Sequence, residues 1–164
     1  MAVVALKSAA LTNRDATPKV LNNVNAGNAG IVRSTFGRVT STSGDSSASI
    51  YRCVEVPSNA RVQSVRLWTT ALGGSAAADV GVYRSTADGG AVVTVAAFVA
   101  GTTLVSAVNG TEISTALTLA KREQPLWQAA GMSADPGGML DIALTLTAAS
   151  AASTDVGLDV TYVL

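Results

Sequence analysis

Strict alternation of apolar and polar positions marks the last quarter of the chain. Apolar side chains occupy every second position of 140–146, and again of 156–162. A period of two residues places one face of a strand in a core and the other in solvent, which is typical of antiparallel sheets. The same alternation appears at Asp79–Arg84. The residues predicted to face inward are Val80, Val82, Leu140, Ile142, Leu144, Leu146, Val156, Leu158 and Val160.

The middle of the chain predicts two strands joined by a turn. Positions 50–56 and 62–68 are rich in β-branched and aromatic residues, which favour strands. Pro57 ends the first strand because it has no backbone N–H to donate, and the following Ser58 and Asn59 favour a turn. The pattern fits either a hairpin within one sheet or a corner between two sheets. A further strand is predicted at 31–40, with Val32 and Phe36 on one face.

Glycine-rich turns separate the remaining segments. Asp88-Gly89-Gly90, Asn109-Gly110 and 135–138 are turn sequences. Positions 91–100 fit a strand or a helix, and Gly101 closes this segment in both cases. A short strand is expected at 117–120. The segment 121–131 has room for one helical turn at most.

Many short strands and turns together predict an all-β fold. We expect an antiparallel β-sandwich of the jelly-roll type with little helix, and an immunoglobulin-like sandwich is the alternative. The sandwich is assigned to residues 31–164. Residues 1–30 show neither strand nor helix periodicity and contain several asparagines, so they predict an extended N-terminal arm.

Charged residues make up only 13% of the 164 residues, against about 25% in typical soluble domains. The net charge is zero, which argues against a nucleic-acid partner because phosphates require a basic surface. No apolar run approaches the roughly 20 residues of a membrane span, so no membrane partner is expected. The low charge favours an obligate assembly over a surface covered by Ser, Thr, Asn and Gly.

Nothing in the sequence indicates catalysis, a cofactor or a metal. The chain has no histidine and one cysteine, Cys53, which removes the commonest general base and thiolate clusters. Asp155 and Asp159 share a strand face but lie about 13 Å apart, too far for a glycosidase pair. We expect Cys53 to be a buried, inert thiol. Trp68 is expected in the core, whereas Trp127 fits core and interface equally.

Five segments form a recognisable set: 51–65, Asp79-Val-Gly-Val-Tyr83, Gly89-Gly-Ala-Val92, Pro125-Leu-Trp127 and 131–138. Together they resemble a family of structural proteins of tailed bacteriophages. The resemblance covers most of the chain from about Ser49 onward. The best-described relatives are head decoration, or cement, proteins of podophages with a jelly-roll fold. The motifs are turns and strands, without a chemical signature, and they leave the arm before Ile31 uncovered.

The resemblance implies a non-enzymatic virion protein, made in the bacterial host cytoplasm, that binds the capsid exterior. Its implied partners are the major capsid protein and further copies of itself, as a homodimer or homotrimer. Two other classes stay open: a carbohydrate- or receptor-binding module of a head fibre or tail component, and a small hydrolase. A carbohydrate-binding module would require an exposed aromatic platform, yet aromatic residues make up only 4% of the chain.

The arm is the element we expect to hold a neighbouring subunit. Its apolar side chains would be exposed on a free chain, and burying each one is worth roughly 1.5–3 kcal/mol before ordering costs. The partner is either the capsid protein or a second copy. An arm that folds back on its own domain is the alternative. The expected contact residues are Val3, Val4, Leu6, Leu11, Val20, Leu21 and Trp127.

Overall fold

The computed structural model describes residues 7–20 and 30–164, which form eight strands and four short helices. The strands are β1 (Val32–Thr40), β2 (Ile50–Pro57), β3 (Arg61–Thr69), β4 (Ala77–Arg84), β5 (Val92–Thr103), β6 (Val108–Glu112), β7 (Met139–Ala148) and β8 (Asp155–Val163). The helices are α1 (Ala9–Asp15), α2 (Leu119–Arg122), α3 (Leu126–Ala129) and a 3₁₀ turn at Thr86–Asp88.

The strands form two four-stranded antiparallel sheets in jelly-roll order. The first sheet has the order β1-β8-β3-β6 and the second the order β2-β7-β4-β5. Among these eight strands, only β4 and β5 are consecutive in the chain and also paired. Every other connection passes from one sheet to the other. The predicted jelly-roll sandwich is therefore confirmed, and this connectivity rules out the immunoglobulin-like alternative, in which seven strands divide differently between the sheets.

The core fills the space between the two sheets. All nine residues that alternation predicted to face inward are at most 1% exposed. They pack with Phe98, Leu67 and Leu104 in one continuous hydrophobic cluster. The alternating pattern therefore gave both the strands and their orientation correctly.

The strands around Pro57 form a corner between the sheets. β2 pairs with β7, whereas β3 pairs with β8 and β6, so the two strands belong to different sheets. Within the turn, Ala60 N donates a hydrogen bond to the Pro57 carbonyl at 3.0 Å. The local sequence is the same for a hairpin and a corner, so only the packing of the sheets decided between them.

Two expected breaks lie inside strands. Asn109-Gly110 is part of β6, at a bulge opposite Leu67 and Trp68, so its assignment as a turn is wrong. β5 continues through Gly101 to Thr103, so Gly101 does not close it. Both glycines have positive φ angles, 68° and 64°, a conformation that glycine adopts without steric cost. A left-handed glycine marks a bulge as readily as a turn.

The segment after β6 also differs from the prediction. Residues 117–120 are not a strand, since α2 begins at Leu119, where the Thr118 hydroxyl accepts a bond from Lys121 N. α3 is the expected single helical turn, with Pro125 at its N-cap and Gly131 at φ 88° just beyond its end. α3 buries Leu126 against the core.

The described part of the arm contains a helix. α1 begins after Ser8, whose hydroxyl accepts a bond from Leu11 N, and Lys7 pairs with Asp15 at 2.8 Å. The expectation of an extended chain is therefore wrong over Ala9–Asp15. Residues 1–6 and 21–29 of the predicted arm lie outside the described residues. The boundary between arm and sandwich near residue 30 stays a prediction.

Candidate binding surface on the first sheet

The outer face of the first sheet exposes large apolar side chains. Alternation along β1 points Val32 and Phe36 away from the core, and they are 65% and 60% exposed. Trp68 on β3 points the same way and is 41% exposed. The expectation that Trp68 lies in the core is therefore wrong. Leu67, its neighbour, takes the inward position, because successive side chains of a strand point to opposite faces.

Phe36 and Trp68 flank a glycine on the strand between them. Gly157 on β8 is the register partner of Trp68. The Phe36 ring lies against Gly157, since a Cβ built on this glycine would be 3.0 Å from Phe36 Cζ. We call the resulting depression the outer groove. Its volume is about 230 Å³, and Phe36 and Trp68 are the two aromatic side chains among its lining residues.

The Trp68 ring lies over a second glycine, Gly110 on the edge strand β6. A Cβ built on Gly110 would be 2.7 Å from Trp68 Cζ2, so any side chain there would displace the indole. Aromatic rings commonly cover glycines of a neighbouring strand and protect their backbone. The bulge at Gly110 thus fixes the indole on the sheet surface beside the outer groove.

Polar groups surround the aromatic walls. Arg38 Nη1 lies 3.2 Å from Asp155 Oδ2, and the Thr40 hydroxyl donates to Asp155 Oδ1 at 2.7 Å. Four residues further along β8, the Ser34 hydroxyl donates to Asp159 Oδ1 at 2.6 Å. The two aspartates therefore accept hydrogen bonds from side chains of the neighbouring strand β1.

A second depression lies at the other end of the same sheet. This end cleft has a volume of about 380 Å³ and is lined by Asn59, Arg61, Pro125, Trp127, Val163 and Leu164. Arg61 and Val32 both pair with Val163, so the cleft borders the outer face that carries the outer groove. The aromatic and apolar groups of this face therefore extend from one end of the sheet to the other.

Trp127 combines the two roles that the sequence left open. Its side chain is half-buried and packs against the core, and it also lines the end cleft. Its backbone N–H donates to the Ser58 carbonyl at 3.1 Å, which ties α3 to the corner between β2 and β3. Its assignment as a subunit contact stays a prediction.

The other predicted contact residues belong to the arm. Leu11 and Val20 are 41% and 52% exposed. Val3, Val4, Leu6 and Leu21 lie outside the described residues. The groove residues Phe36 and Trp68 were not predicted as site residues. For Phe36 the sequence does hold a signal, because Phe36 shares a strand face with Arg38 and Thr40. A buried face would not show this mixture of apolar and polar residues.

The described residues contain neither a reactive thiol nor a cluster of metal-binding side chains. Cys53 is partly buried against the core, and desolvation raises the pKa of its thiol to about 12, so it stays protonated at neutral pH. Within residues 7–20 and 30–164, no three His, Cys, Asp or Glu side chains gather in a way that would hold a metal ion. None of the helices described there is long and apolar enough to cross a membrane.

These observations define a jelly-roll domain with an exposed aromatic groove on one sheet. No protein-family model and no curated protein sequence matches the chain. Among solved structures, it is similar to a chain of "Cyanophage Pam1 capsid asymmetric unit", with 18% identity, a TM-score of 0.55 and coverage of 92% of this chain and 96% of that chain. It is also similar to a chain of "Capsid of Ralstonia phage GP4", with 16% identity, a TM-score of 0.56 and coverage of 82% and 84%. Both likenesses establish the fold.

Proposed function

We propose that the protein is a structural component of a tailed-phage virion that binds the outside of the capsid and staples neighbouring major capsid subunits. The observation that carries this proposal is the end-to-end likeness to a chain of the Pam1 capsid structure, which covers 92% of this chain and 96% of that one. A match of this extent means that the two chains share a fold over nearly their whole length. The family resemblance of the sequence supports the same role independently of the fold.

The exposed face of the first sheet suits a protein whose working state is assembled. Val32 on β1 and Ile31 just before β1 are 65% and 66% exposed, and Val32 pairs with Val163 of the end cleft, away from the outer groove. Clustered apolar surface rimmed by polar residues is typical of interaction sites. With only 13% charged residues, the protein has few groups to keep such a surface solvated on its own.

We infer that the arm supplies a second contact, to the capsid protein or to another copy in a homodimer or homotrimer. Leu11 and Val20 are exposed, so they contribute little to the stability of the isolated chain. Burial against a neighbour would make them stabilising, and backbone hydrogen bonds to that neighbour would offset the ordering cost of about 1–2 kcal/mol per residue.

We further infer that the protein has no catalytic activity. The chain lacks histidine, its one thiol is held protonated, and its paired strand aspartates accept structural hydrogen bonds. A hydrolase activity that a single Asp or Glu substitution abolishes would contradict this inference.

The copy number in purified particles tests the proposed role. Quantitative mass spectrometry of virions would measure the ratio of this protein to the major capsid protein. A capsid-stapling protein should be present in hundreds of copies, because neighbouring capsid subunits meet at many equivalent positions on a shell. A handful of copies per particle would contradict the proposal.

The second candidate function is a carbohydrate- or receptor-binding module of a head fibre or tail component. The aromatic outer groove favours it, because such a module requires an exposed aromatic platform. A low copy number together with a location on a fibre or the tail in electron micrographs would support this candidate over capsid stapling.

A further inference from the structure

We propose that the outer groove between Phe36 and Trp68 binds a neutral saccharide. The groove would serve this role on a capsid or on a fibre, so the inference does not depend on the copy number. It is carried by three features of the described residues: two exposed rings on either side of a glycine backbone, a rim of hydrogen-bonding groups, and the absence of net charge in that rim.

The first feature is the arrangement of the rings. Phe36 and Trp68 come from β1 and β3, and β8 lies between them, with Gly157 as the register partner of Trp68. Gly157 has no side chain, so its backbone is the groove floor. The two aromatic side chains are 60% and 41% exposed, although Phe, Trp and Tyr make up only 4% of the chain. The two exposed rings are therefore a substantial share of the few aromatic side chains in the protein.

The second feature is the chemistry of the rim. A sugar ring presents C–H groups on its faces and hydroxyl groups around its edge. The C–H groups carry partial positive charge and pack well on the negative face of an aromatic ring. The hydroxyls need donors and acceptors at the edge of the contact. Arg38, Asp155, Asn109 and Thr70 line the outer groove and supply both kinds of group.

The third feature is charge, which selects among saccharides. Arg38 and Asp155 lie 3.2 Å apart, so the one cation and the one carboxylate of the groove neutralise each other. A sialylated or phosphorylated sugar would find no uncompensated cation in the groove. Arg38 and Asp155 can still divide their remaining hydrogen-bonding capacity between neighbouring hydroxyls of a neutral sugar.

The size of the groove favours a saccharide over a protein as its ligand. Its volume of about 230 Å³ lies below the roughly 300–1,000 Å³ of pockets for drug-sized ligands, and it suits a short stretch of sugar rings. A stable protein interface buries roughly 800 Å² on each partner and is least charged at its centre. Here the polar and charged groups stand directly beside the rings, which suits a hydroxyl-rich ligand.

Nuclear magnetic resonance of the full-length protein tests the proposal with a built-in control. The chain has two tryptophans, so the ¹⁵N-labelled protein shows two indole N–H signals, which the variant Trp68→Phe assigns. The probes are neutral oligosaccharides at millimolar concentration: maltohexaose, cellohexaose and chitohexaose. We expect at least one probe to shift the Trp68 signal saturably, while the Trp127 signal, which belongs to the end cleft, stays in place.

Substitutions then locate the site. Phe36→Ala should weaken binding of the active probe by about tenfold, as expected for loss of one aromatic contact. Val92→Ala, which shortens an exposed apolar side chain on the second sheet, should leave binding unchanged and serves as the matched control. Thermal unfolding followed by circular dichroism confirms that each variant is folded.

Three results would overturn the proposal. One is the absence of a saturable Trp68 shift with every probe. Another is binding that Phe36→Ala and Val92→Ala affect equally. The last is a loss of self-association or of capsid binding in Phe36→Ala without any oligosaccharide effect, which would make the outer groove a protein interface.

Discussion

Single glycines set how closely the strands of this sandwich approach each other. Gly37 on β1 lies against the Cys53 carbonyl of β2, so that a Cβ on residue 37 would be 1.7 Å from that oxygen. β1 and β2 belong to different sheets, and this contact brings the two sheets together along one edge. Neither backbone can move independently, because β1 is paired with β8 and β2 with β7.

Replacing Gly37 by Ala should therefore be strongly destabilising, by about 3 kcal/mol or more, because the clash is with backbone. The matched control is Gly157→Ala. Its Cβ would meet the end of the Phe36 ring at 3.0 Å, which can move, and the Gly37 carbonyl oxygen at 3.2 Å, a far smaller overlap than the 1.7 Å contact at residue 37. Urea denaturation of both variants measures the difference. Equal losses of stability would show that the edge contact between the sheets is looser than described.

The core makes a second prediction at the residue scale. Leu144 is fully buried on β7 between the sheets, so Leu144→Ala should lower the free energy of unfolding by about 2–5 kcal/mol. Leu119→Ala removes the same atoms from a side chain that is 81% exposed, and it should change stability by less than about 0.5 kcal/mol. Chemical denaturation gives both values. A cost for Leu144→Ala as small as that of Leu119→Ala would contradict the inward register of β7.

At the scale of elements, the corner between β2 and β3 organises one end of the sandwich. The buried Ser58 donates its hydroxyl to Asp135 Oδ1 at 2.6 Å, and its carbonyl accepts from Trp127 N. Asp135 also accepts from Gly137 N at 2.9 Å. The corner, α3 and the loop before β7 are thereby joined by hydrogen bonds through one serine and one aspartate. The end cleft with Trp127 depends on this arrangement.

The bonds to Asp135 predict a pH dependence. The hydrogen bond from Ser58, and then that from Gly137, lower the pKa of Asp135 below its ordinary value. A lowered folded-state pKa stabilises the fold above the unfolded pKa of about 4, and this stabilisation is lost as the pH falls through the folded pKa. Wild type should therefore be more stable than Asp135→Ala at pH 7, and the gap should narrow below about pH 4.

Urea denaturation at pH 7, 5, 4 and 3 measures that gap. Glu123→Ala, which removes an exposed carboxylate elsewhere, is the control. Asp45 accepts hydrogen bonds from the Tyr51 hydroxyl and from Thr42 N, and its pKa is also lowered. Acid therefore destabilises the wild type, Asp135→Ala and Glu123→Ala alike through Asp45, and only the difference between them reports on Asp135. A gap for Asp135→Ala that widens as the pH falls would show that its carboxylate does not stabilise the fold.

At the scale of the whole molecule, we expect different segments to stabilise the fold and to bind a neighbouring subunit. The buried apolar side chains of the described residues all lie between Tyr51 and Tyr162. The arm contributes α1 and exposed side chains such as Leu11 and Val20. We therefore expect the sandwich to carry the fold, and the arm to carry much of the affinity for a neighbouring subunit.

A variant that begins near Ile31 tests this division. It should fold cooperatively, with the strand-rich circular dichroism of the full chain, because the core is intact. It should bind undecorated capsids much more weakly, since the apolar contacts of the arm are absent. Co-sedimentation with capsids measures the affinity, and the full chain is the reference. Unchanged affinity would show that the sandwich carries the binding, with the end cleft around Trp127 as the first candidate surface.

The sequence by itself determined the strands and the side of each that is buried. Leu140 to Leu146 and Val156 to Val160 alternate without a break, and burial of an apolar side chain is a local property of the pleated strand. The pairing of strands was not local, because it depends on which sheet each strand joins. The segments on either side of Pro57 look like a hairpin, yet they belong to different sheets.

Only the tertiary structure decided where the surface aromatics and the turn-like glycines lie. Asn109-Gly110 has the composition of a turn, but Gly110 is a bulge under the Trp68 ring, and its partner strand is far away in sequence. Trp68 and Leu67 are both large and apolar, and only the register of β3 against β8 turns one into the core and the other outward. The outer groove joins Phe36, Trp68 and Gly157 from three distant strands, so no local pattern could reveal it.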